Sequence, residues 1–408
     1  LTPMELHSPI MHSFSISRRA AENLERGHLW IFSNEIQKKE NCSAPGDWCY
    51  FEFNGRIMGT GYFNRHSLIA GRIVDFGKSE NISDLLRNRL RAAFLKRKAA
   101  GLTGAVRLVF SEGDFFPGLV VDAYEGSLVF QSSTAGMDRL LPFLEIEGAA
   151  LFEKVFNRRV DGIVSRGDSA FRVLENLNAF CRVVKGNEKD LRQVEFKEND
   201  TTYVADLVQG QKTGFFMDQR ENRMFFGNVV ETVPGASVLD LYCYSGAWGL
   251  LALKKGAMRV AFVDQSGSAL SLVESSALRN GIPPEKMIFF KADVFKYLQN
   301  ESNTFDIIVA DPPAFIKSTK VFHQGLKAYE KLNRLAWRRL RAGGWLFSSS
   351  CSRHLSEPDF LDLLRRAVAR ENGLAHIGYR GFQAADHPVL LSMPETLYLK
   401  CVGLQKIR

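Results

Sequence analysis

Cysteine is scarce in this chain: six in 408 residues, with no CxxC pair and no regular spacing. That usage argues against a disulfide framework and against a zinc site, and no metal is expected. Long apolar runs are missing too. None approaches the roughly 18 residues that a membrane span needs, so no membrane association is expected. The opening stretch, "LTPMELHSPIMHS", lacks the basic, apolar and small-residue succession of a secretory signal. A reduced, cytoplasmic setting is the expectation. No internal repeat or low-complexity tract occurs, and no GxGxxG, the usual dinucleotide fingerprint.

What is present is a soluble composition, 45% apolar and 24% charged, with a net charge of +8 and a sequence pI near 9.1. The length suggests two or three domains. The basic balance suggests a polyanionic partner. Residues 1–76 read as short strands and turns. "DWCYFEF" alternates, "NG" at 54–55 is a hairpin signal, "RIMGTGYF" returns, and "SLIAGRIV" adds a strand. A helix is expected in "SRRAAENLERG", ended by Gly27. A second helix is expected over "NISDLLRNRLRAAFLKRKAAG", with Ser83 as N-cap and Gly101 as stop. Its faces carry Arg87, Arg89, Arg91, Lys96, Arg97 and Lys98, which read either as a solvated face or as phosphate contacts. Strands at "AVRLVFSEGD", "FPGLVVDAYEGSLVFQSS" and "VDGIVSRG", with a helix near 138–157, complete a central segment, 77–190. From 191 to 408 strands and helices alternate, the pattern of a parallel sheet.

In this last segment "ASVLDLYCYSGAWGLLALKKGA" reads as strand, turn and helix. Asp240 lies near the strand end, and Gly246 and Gly249 lie where a loop would approach a ligand. "RVAFVDQS" ends a second strand at Asp264, 18 residues after Gly246, placed to accept ribose hydroxyls. "MIFFKADVF" brings Asp293 to a third strand end, where it or its backbone would meet an adenine edge. Three such acids in successive βα units point to a nucleoside-bearing cofactor, NAD or S-adenosylmethionine. The fourth strand, "FDIIVADPPAF", ends at Asp311 and two prolines, a stiff polar corner without two N–H donors. A fifth strand leads into "SSSCSRH". Cys351 there is either a small buried filler or a nucleophile. Cys243, in the cofactor loop, reads as packing; Cys42, Cys49, Cys181 and Cys401 read as bland.

"VLDLYCYSGAWG", "VDQS", "DPPAF" and "SCS", in this order, resemble a class I S-adenosylmethionine-dependent methyltransferase. "GQKTGFFMDQRENR" (210–223) and "ADHPVLLSMPETLYLK" (385–400) are similar to the RlmI-like family of 23S rRNA cytosine-5 methyltransferases. "GHLWIFSNEI" and "GTGYFNRHSLIAGRI" resemble its PUA domain, and "RLVFSEGDFFPGLVVDAY" its central domain. The resemblance implies a multidomain α/β protein. An N-terminal β-rich PUA RNA-binding domain (1–76) would precede a small central α+β domain (77–190) and a C-terminal Rossmann-like methyltransferase domain (191–408). It implies S-adenosylmethionine as cofactor, 23S rRNA as partner, and allows a homodimer. By motif position, Asp240 to Gly246 (with Tyr242 and Ser245) would line the cofactor's methionine end, Asp264 its ribose and Asp293 its adenine. Arg220 is the candidate partner of its carboxylate.

Carbon C5 of cytosine is a poor nucleophile. Thiolate attack at C6 would make it enamine-like, and the resemblance of "SCS" assigns that thiolate to Cys351. Asp311 would hold the base, and Glu395, in "MPETLYLK", would accept the C5 proton. After "SCS" the chain reads "RHLS", where many relatives carry small or apolar residues. Two other functions stay open. One is a base-nitrogen methyltransferase with Phe315 stacking on a flipped base; the other is a non-catalytic RNA-binding assembly factor. A dehydrogenase fits least.

Overall fold

The structure, a computed structural model, describes residues 12–37 and 44–408. Cys42 lies outside the described residues. The chain forms two compact units. The first takes the described residues up to Val194, with Asp206–Phe215 and Ala385–Thr396. The second takes Glu195–Ala205, Phe216–Ala384 and Leu397–Arg408.

The first unit opens with β1 (His12–Ser15), α1 (Arg18–Glu25), β2 (Trp30–Phe32), β3 (Asp47–Phe53), β4 (Arg56–Phe63) and β5 (Ile69–Phe76), in the sheet order β1-β3-β4-β5-β2. The Asn54-Gly55 signal forms the β3–β4 turn, with φ of 49° and 76°, because both central residues of such a turn need positive φ. Ser17 caps α1 by accepting the Ala20 N–H, and Gly27 follows its end at φ 88°. Next come α2 (Ile82–Ala99), β6 (Ala105–Phe110), β7 (Leu119–Tyr124), β8 (Ser127–Ser132), α3 (Ala135–Phe156), β9 (Gly162–Gly167), β10 (Phe180–Lys185) and α4 (Glu188–Leu191). Strands β6 to β10 make a second sheet in sequential order.

Two expectations are corrected here. The N-cap of α2 is Asn81, whose side chain accepts the Asp84 N–H at 3.0 Å, while Ser83 is buried in the first turn. The cations of α2 are mostly neither a free solvated face nor available to phosphates. Arg87 pairs with Asp84 and Glu147, Arg89 with Asp75, and buried Arg97 forks onto Asp114, while Lys98 donates to the Val155 carbonyl. Among the described residues, only Arg91 and Lys96 of that set lack such partners, and both are exposed.

Packing does not follow the sequence segments everywhere. The first sheet has its own core, around Phe14, Ile31, Phe51 and Ile73. Trp48, Tyr62 and Val74, on its opposite face, join Leu86, Phe94, Val121 and Phe130 in the core of the second sheet, so no core ends at residue 76. Segments 206–215 and 385–396 also belong to the first unit. Thr213 donates to Asp122, the Asp386 carbonyl accepts from Arg97, and the Asp386 carboxylate accepts the Arg107 N–H.

The second unit contains β11 (Val194–Glu198, beginning at the unit boundary), β12 (Thr201–Ala205), α5 (Arg220–Glu231), β13 (Ser237–Leu241), α6 (Ala247–Lys254), β14 (Arg259–Asp264), α7 (Gly267–Arg279), β15 (Met287–Lys291) and α8 (Val294–Asn300). Then follow β16 (Phe305–Ala310), α9 (Phe322–Arg339), β17 (Leu340–Ser350), α10 (Glu357–Ala369), β18 (Ala375–Gly381) and β19 (Lys400–Lys406). Seven strands form one sheet in the order β15-β14-β13-β16-β17-β19-β18. The first five are parallel, and β19 runs antiparallel to both neighbours. Helices α8 to α10 pack on Leu239, Leu241, Val263, Ile308 and Ala310. The alternate strand residues face the other side, where Phe262 lies against α6. Strand order reverses between β13 and β16. At such a switch point the loops leave in opposite directions and open a crevice at the strands' carboxyl ends.

Candidate active site

The loop after β13 carries unusual backbone. Tyr242, Tyr244 and Gly246 have φ of 59°, 46° and 73°. For the two tyrosines that conformation costs on the order of 1–3 kcal/mol each, and such strain clusters at ligand sites. Beneath the loop, Asp240 is fully buried. Its Oδ2 accepts the Gly249 N–H at 2.9 Å, and its Oδ1 has no partner. Burial first, then the carboxylates of Asp311 and Asp264, push its pKa up to about 8. Ser245 is buried. Burial, with Asp293 and Asp264 nearby, also raises the Tyr242 hydroxyl. Gly249 is not in the loop: it lies in α6, where a Cβ would come within 2.3 Å of the Phe262 ring. It is a helix–strand packing glycine, which corrects its reading as a ligand approach.

Asp264 closes β14. Its Oδ2 accepts the Tyr244 N–H and its Oδ1 the Ser266 N–H, both at 2.9 Å. Each oxygen keeps a lone pair for another donor. Asp293 caps α8 by accepting the Lys296 N–H, and it also accepts from Gln265. Arg220 begins α5, 3.7 Å from Glu198, which is already forked by Arg223 at 2.7 and 2.9 Å.

Asp311 is the first residue after β16. Its Oδ1 accepts from Gln219 at 3.0 Å and its Oδ2 from Trp248 at 3.3 Å. Burial, and then the Asp218 carboxylate, raise its pKa to about 6 against these two donors. Phe315 is ringed by Tyr242, Phe295 and Tyr329, with centroids at 6.3, 6.1 and 4.7 Å. Those contacts hold it within the fold.

Cys351 follows the last residue of β17 and is partly exposed, with Sγ 4.0 Å from the Pro312 carbonyl. Buried Ser352 fixes the turn. Its Oγ accepts the Ile316 N–H at 3.1 Å and shares a hydrogen bond with the Tyr329 hydroxyl at 2.9 Å, and its carbonyl accepts from Lys400. Among the described residues, the second unit's other cysteines are buried. Burial pushes the Cys243 thiol well up and the Cys401 thiol to about 12, which keeps both inert. The second unit thus gathers Asp240, Asp264, Asp311 and Cys351 along one sheet edge. Glu395 belongs to the first unit, where its Oε1 is 3.6 Å from His28 Nε2.

Sequence reading missed Gln219 and Trp248 as the donors that hold Asp311, and it missed Lys400. A lysine inside the apolar run "TLYLKCVGL" was the available signal, since a charge in a strand interior needs a reason.

A PUA-like domain model matches residues 14–76, and an S-adenosylmethionine-dependent methyltransferase model matches residues 173–390. The chain belongs to the S-adenosylmethionine-dependent methyltransferase family. It is 33% identical to the ribosomal RNA large subunit methyltransferase I of Shewanella amazonensis over 388 residues, which is 93% of this chain and 95% of the relative. It is 34% identical to the protein of the same name in Photobacterium profundum over 390 residues, again 93% and 95%. A solved Streptococcus mutans structure assigned as a SAM-dependent methyltransferase superposes with a TM-score of 0.79 at 23% identity, covering 97% of this chain and all of that one. A second, assigned as a methyltransferase and complexed with SAH, gives 0.80 at 23% identity with the same coverage. With the two family models, these give the fold: a PUA-like domain with a Rossmann-like methyltransferase domain. Among the described residues no helix is long and apolar enough to cross a membrane.

The cofactor is S-adenosylmethionine, and the residues present fit it. The orphaned Asp240 Oδ1 and the positive-φ loop above it suit its amino-acid end; the remaining lone pairs of Asp264 suit a ribose.

Proposed function

We propose that this chain forms 5-methylcytosine in large-subunit ribosomal RNA, with Cys351 as nucleophile. The carrying observation is that Cys351 is the one partly exposed cysteine among the second unit's described residues, and it sits against the Asp311–Pro312–Pro313 corner. The cofactor, when bound, supplies an electrophilic methyl group on a sulfonium. Arg220, Asp264, Asp293 and the 240–246 loop hold and orient it. The Cys351 thiolate adds to C6 and the C5=C6 electrons shift toward C5, which takes the methyl group. A base then removes the C5 proton, the double bond re-forms, and the C6–S bond breaks with its electrons returning to sulfur. Asp311 accepts from the exocyclic amine of the base, and Glu395 is the acceptor the motif suggests for the C5 proton. RNA as substrate is supported by the relatives' names, by the PUA-like domain and by the net charge of +8. The three-part organisation (1–76 binding RNA, 77–190 central, 191–408 catalytic) belongs to this reading. So does a cytoplasmic setting, because a catalytic thiol needs a reducing compartment.

The nitrogen-methylating alternative needs no thiol and relies on Phe315, whose half-buried ring lies against Tyr329. RNA carrying 5-fluorocytosine separates the two, because fluorine cannot leave as a proton. Wild type should stay attached through denaturing electrophoresis, Cys351→Ala should show no such band, and Cys243→Ala should still show one. Methylation by Cys351→Ala at the wild-type rate would remove the thiol from the mechanism.

A further inference from the structure

Lys400 opens β19, opposite Ser350 in the ladder with β17, and is buried. Its Nζ donates to the Ser352 carbonyl at 2.7 Å and to the Tyr398 carbonyl at 2.8 Å. An ammonium has three protons to donate, so one is left over. Among the described residues no carboxylate lies within ion-pair distance of it. A buried charge without a counter-ion is costly, and natural proteins keep one mainly where it meets a partner in some functional state. The groups that face this corner are few. Glu357, at the start of α10, is already paired with Arg380 at 2.7 Å. The Tyr329 hydroxyl on α9 is held at Ser352, and the Tyr398 hydroxyl donates to Asp218. Arg353 and His354, next in the chain, are exposed. That leaves the thiol of Cys351, the neighbour of the very residue whose carbonyl holds Nζ.

We infer that Lys400 is the counter-ion of the Cys351 thiolate, a positioning residue that keeps the sulfur ionised before attack and receives it again as leaving group. Burial lowers the Lys400 pKa to about 8, while Cys351 and then Glu357 act to raise it. The assignment rests on Cys351 being the nucleophile, yet the pairing can be measured without RNA. A purely structural strap between residues 352 and 398 would also use both carbonyls, but it would leave the thiol's ionisation unchanged.

The test is the pH dependence of Cys351 alkylation by iodoacetamide, read on its own peptide by mass spectrometry so that exposed Cys181 is counted separately. Wild type should show a midpoint at least one pH unit below the roughly 8.5 of an ordinary thiol. Lys400→Met, shown to be folded by its S-adenosylmethionine affinity, should move the midpoint up by one unit or more. Lys400→Arg should keep most of the shift, and Arg353→Gln should leave it in place. An ordinary midpoint in wild type overturns the inference even if Lys400→Met fails to fold. So does an unmoved midpoint in folded Lys400→Met. At pH 9, where a thiol ionises unaided, Lys400→Met should recover the 5-fluorocytosine adduct. If wild type forms no adduct at any pH while its low midpoint stands, the nucleophile reading fails and the ion pair survives.

Discussion

Replacing Asp264 by Ala separates what the carboxylate does for the fold from what it does for the cofactor. The side chain holds two backbone donors, the N–H groups of Tyr244 and Ser266, both at 2.9 Å. Hydrogen bonds to a charged acceptor contribute about 1.5–3 kcal/mol each, and partial access of water to this half-buried site lowers that figure. The Tyr244 bond also pins a loop whose two tyrosines sit at positive φ, strain that the loop will release once the anchor is gone. Asp264→Ala should therefore cost about 2–4 kcal/mol of stability. It should also weaken S-adenosylmethionine binding about 10- to 100-fold, the equivalent of one or two lost hydrogen bonds to ribose hydroxyls. Asp264→Asn keeps one acceptor oxygen and should fall between wild type and Ala on both measures. Urea denaturation followed by tryptophan fluorescence gives the first quantity and titration calorimetry the second. Wild-type affinity in Asp264→Ala would refute the ribose assignment. An Asn variant as weak as Ala would show that counting acceptors is the wrong account.

Asp240, with a folded pKa of about 8 against about 3.9 unfolded, binds its proton more tightly in the fold, so its stabilising contribution is lost as pH rises from about 4 to about 8. Asp240→Asn keeps an acceptor for the Gly249 N–H without that slope, so its urea midpoint relative to wild type should improve between pH 5 and pH 8; parallel slopes would contradict the buried-acid assignment. Asp311, raised to about 6 and hydrogen-bonded to the Trp248 indole, should give a fluorescence titration centred near pH 6 that Asp311→Asn lacks. Glu395→Gln, if Glu395 takes the C5 proton, should accumulate covalent adduct on unmodified RNA; fast turnover in that variant would assign the proton elsewhere.

Much of this architecture is legible in the residues because local rules and global fold agree there. Alternation and an Asn-Gly pair specify the β3–β4 hairpin, and acids follow apolar strands at 264, 293 and 311 because a parallel sheet ends its strands at one edge. Where two local signals compete, the sequence is ambiguous. Asn81 and Ser83 are both capable caps, and only the burial of Ser83 against the unit's core decides between them. Gly249 looks the same in sequence whether a ligand or an aromatic ring approaches it, and the position of Phe262 settles which. The return of 385–396 to the first unit depends on Asp386 meeting Arg97 and the Arg107 backbone, at sequence separations of 289 and 279, which no window reveals.

The same reasoning bears on Cys351. A cysteine that only fills space should be fully covered, as Cys401 is on the neighbouring strand. Around Cys351 the fold instead invests polar groups. The Ser352 hydroxyl joins the 311–316 corner to Tyr329, the Ser352 carbonyl faces a buried ammonium, and a carboxylate held by Gln219 and Trp248 stands at the head of the same corner. Each of these groups had to leave water, which is unfavourable unless every partner is met. A packing thiol would require none of them. On the proposed reading, a sulfur that must ionise, bond to a base and be released again would use a rigid backbone, a nearby cation and a fixed acceptor for the base, the roles proposed for segments 219, 248, 311–316, 329, 350–352 and 400.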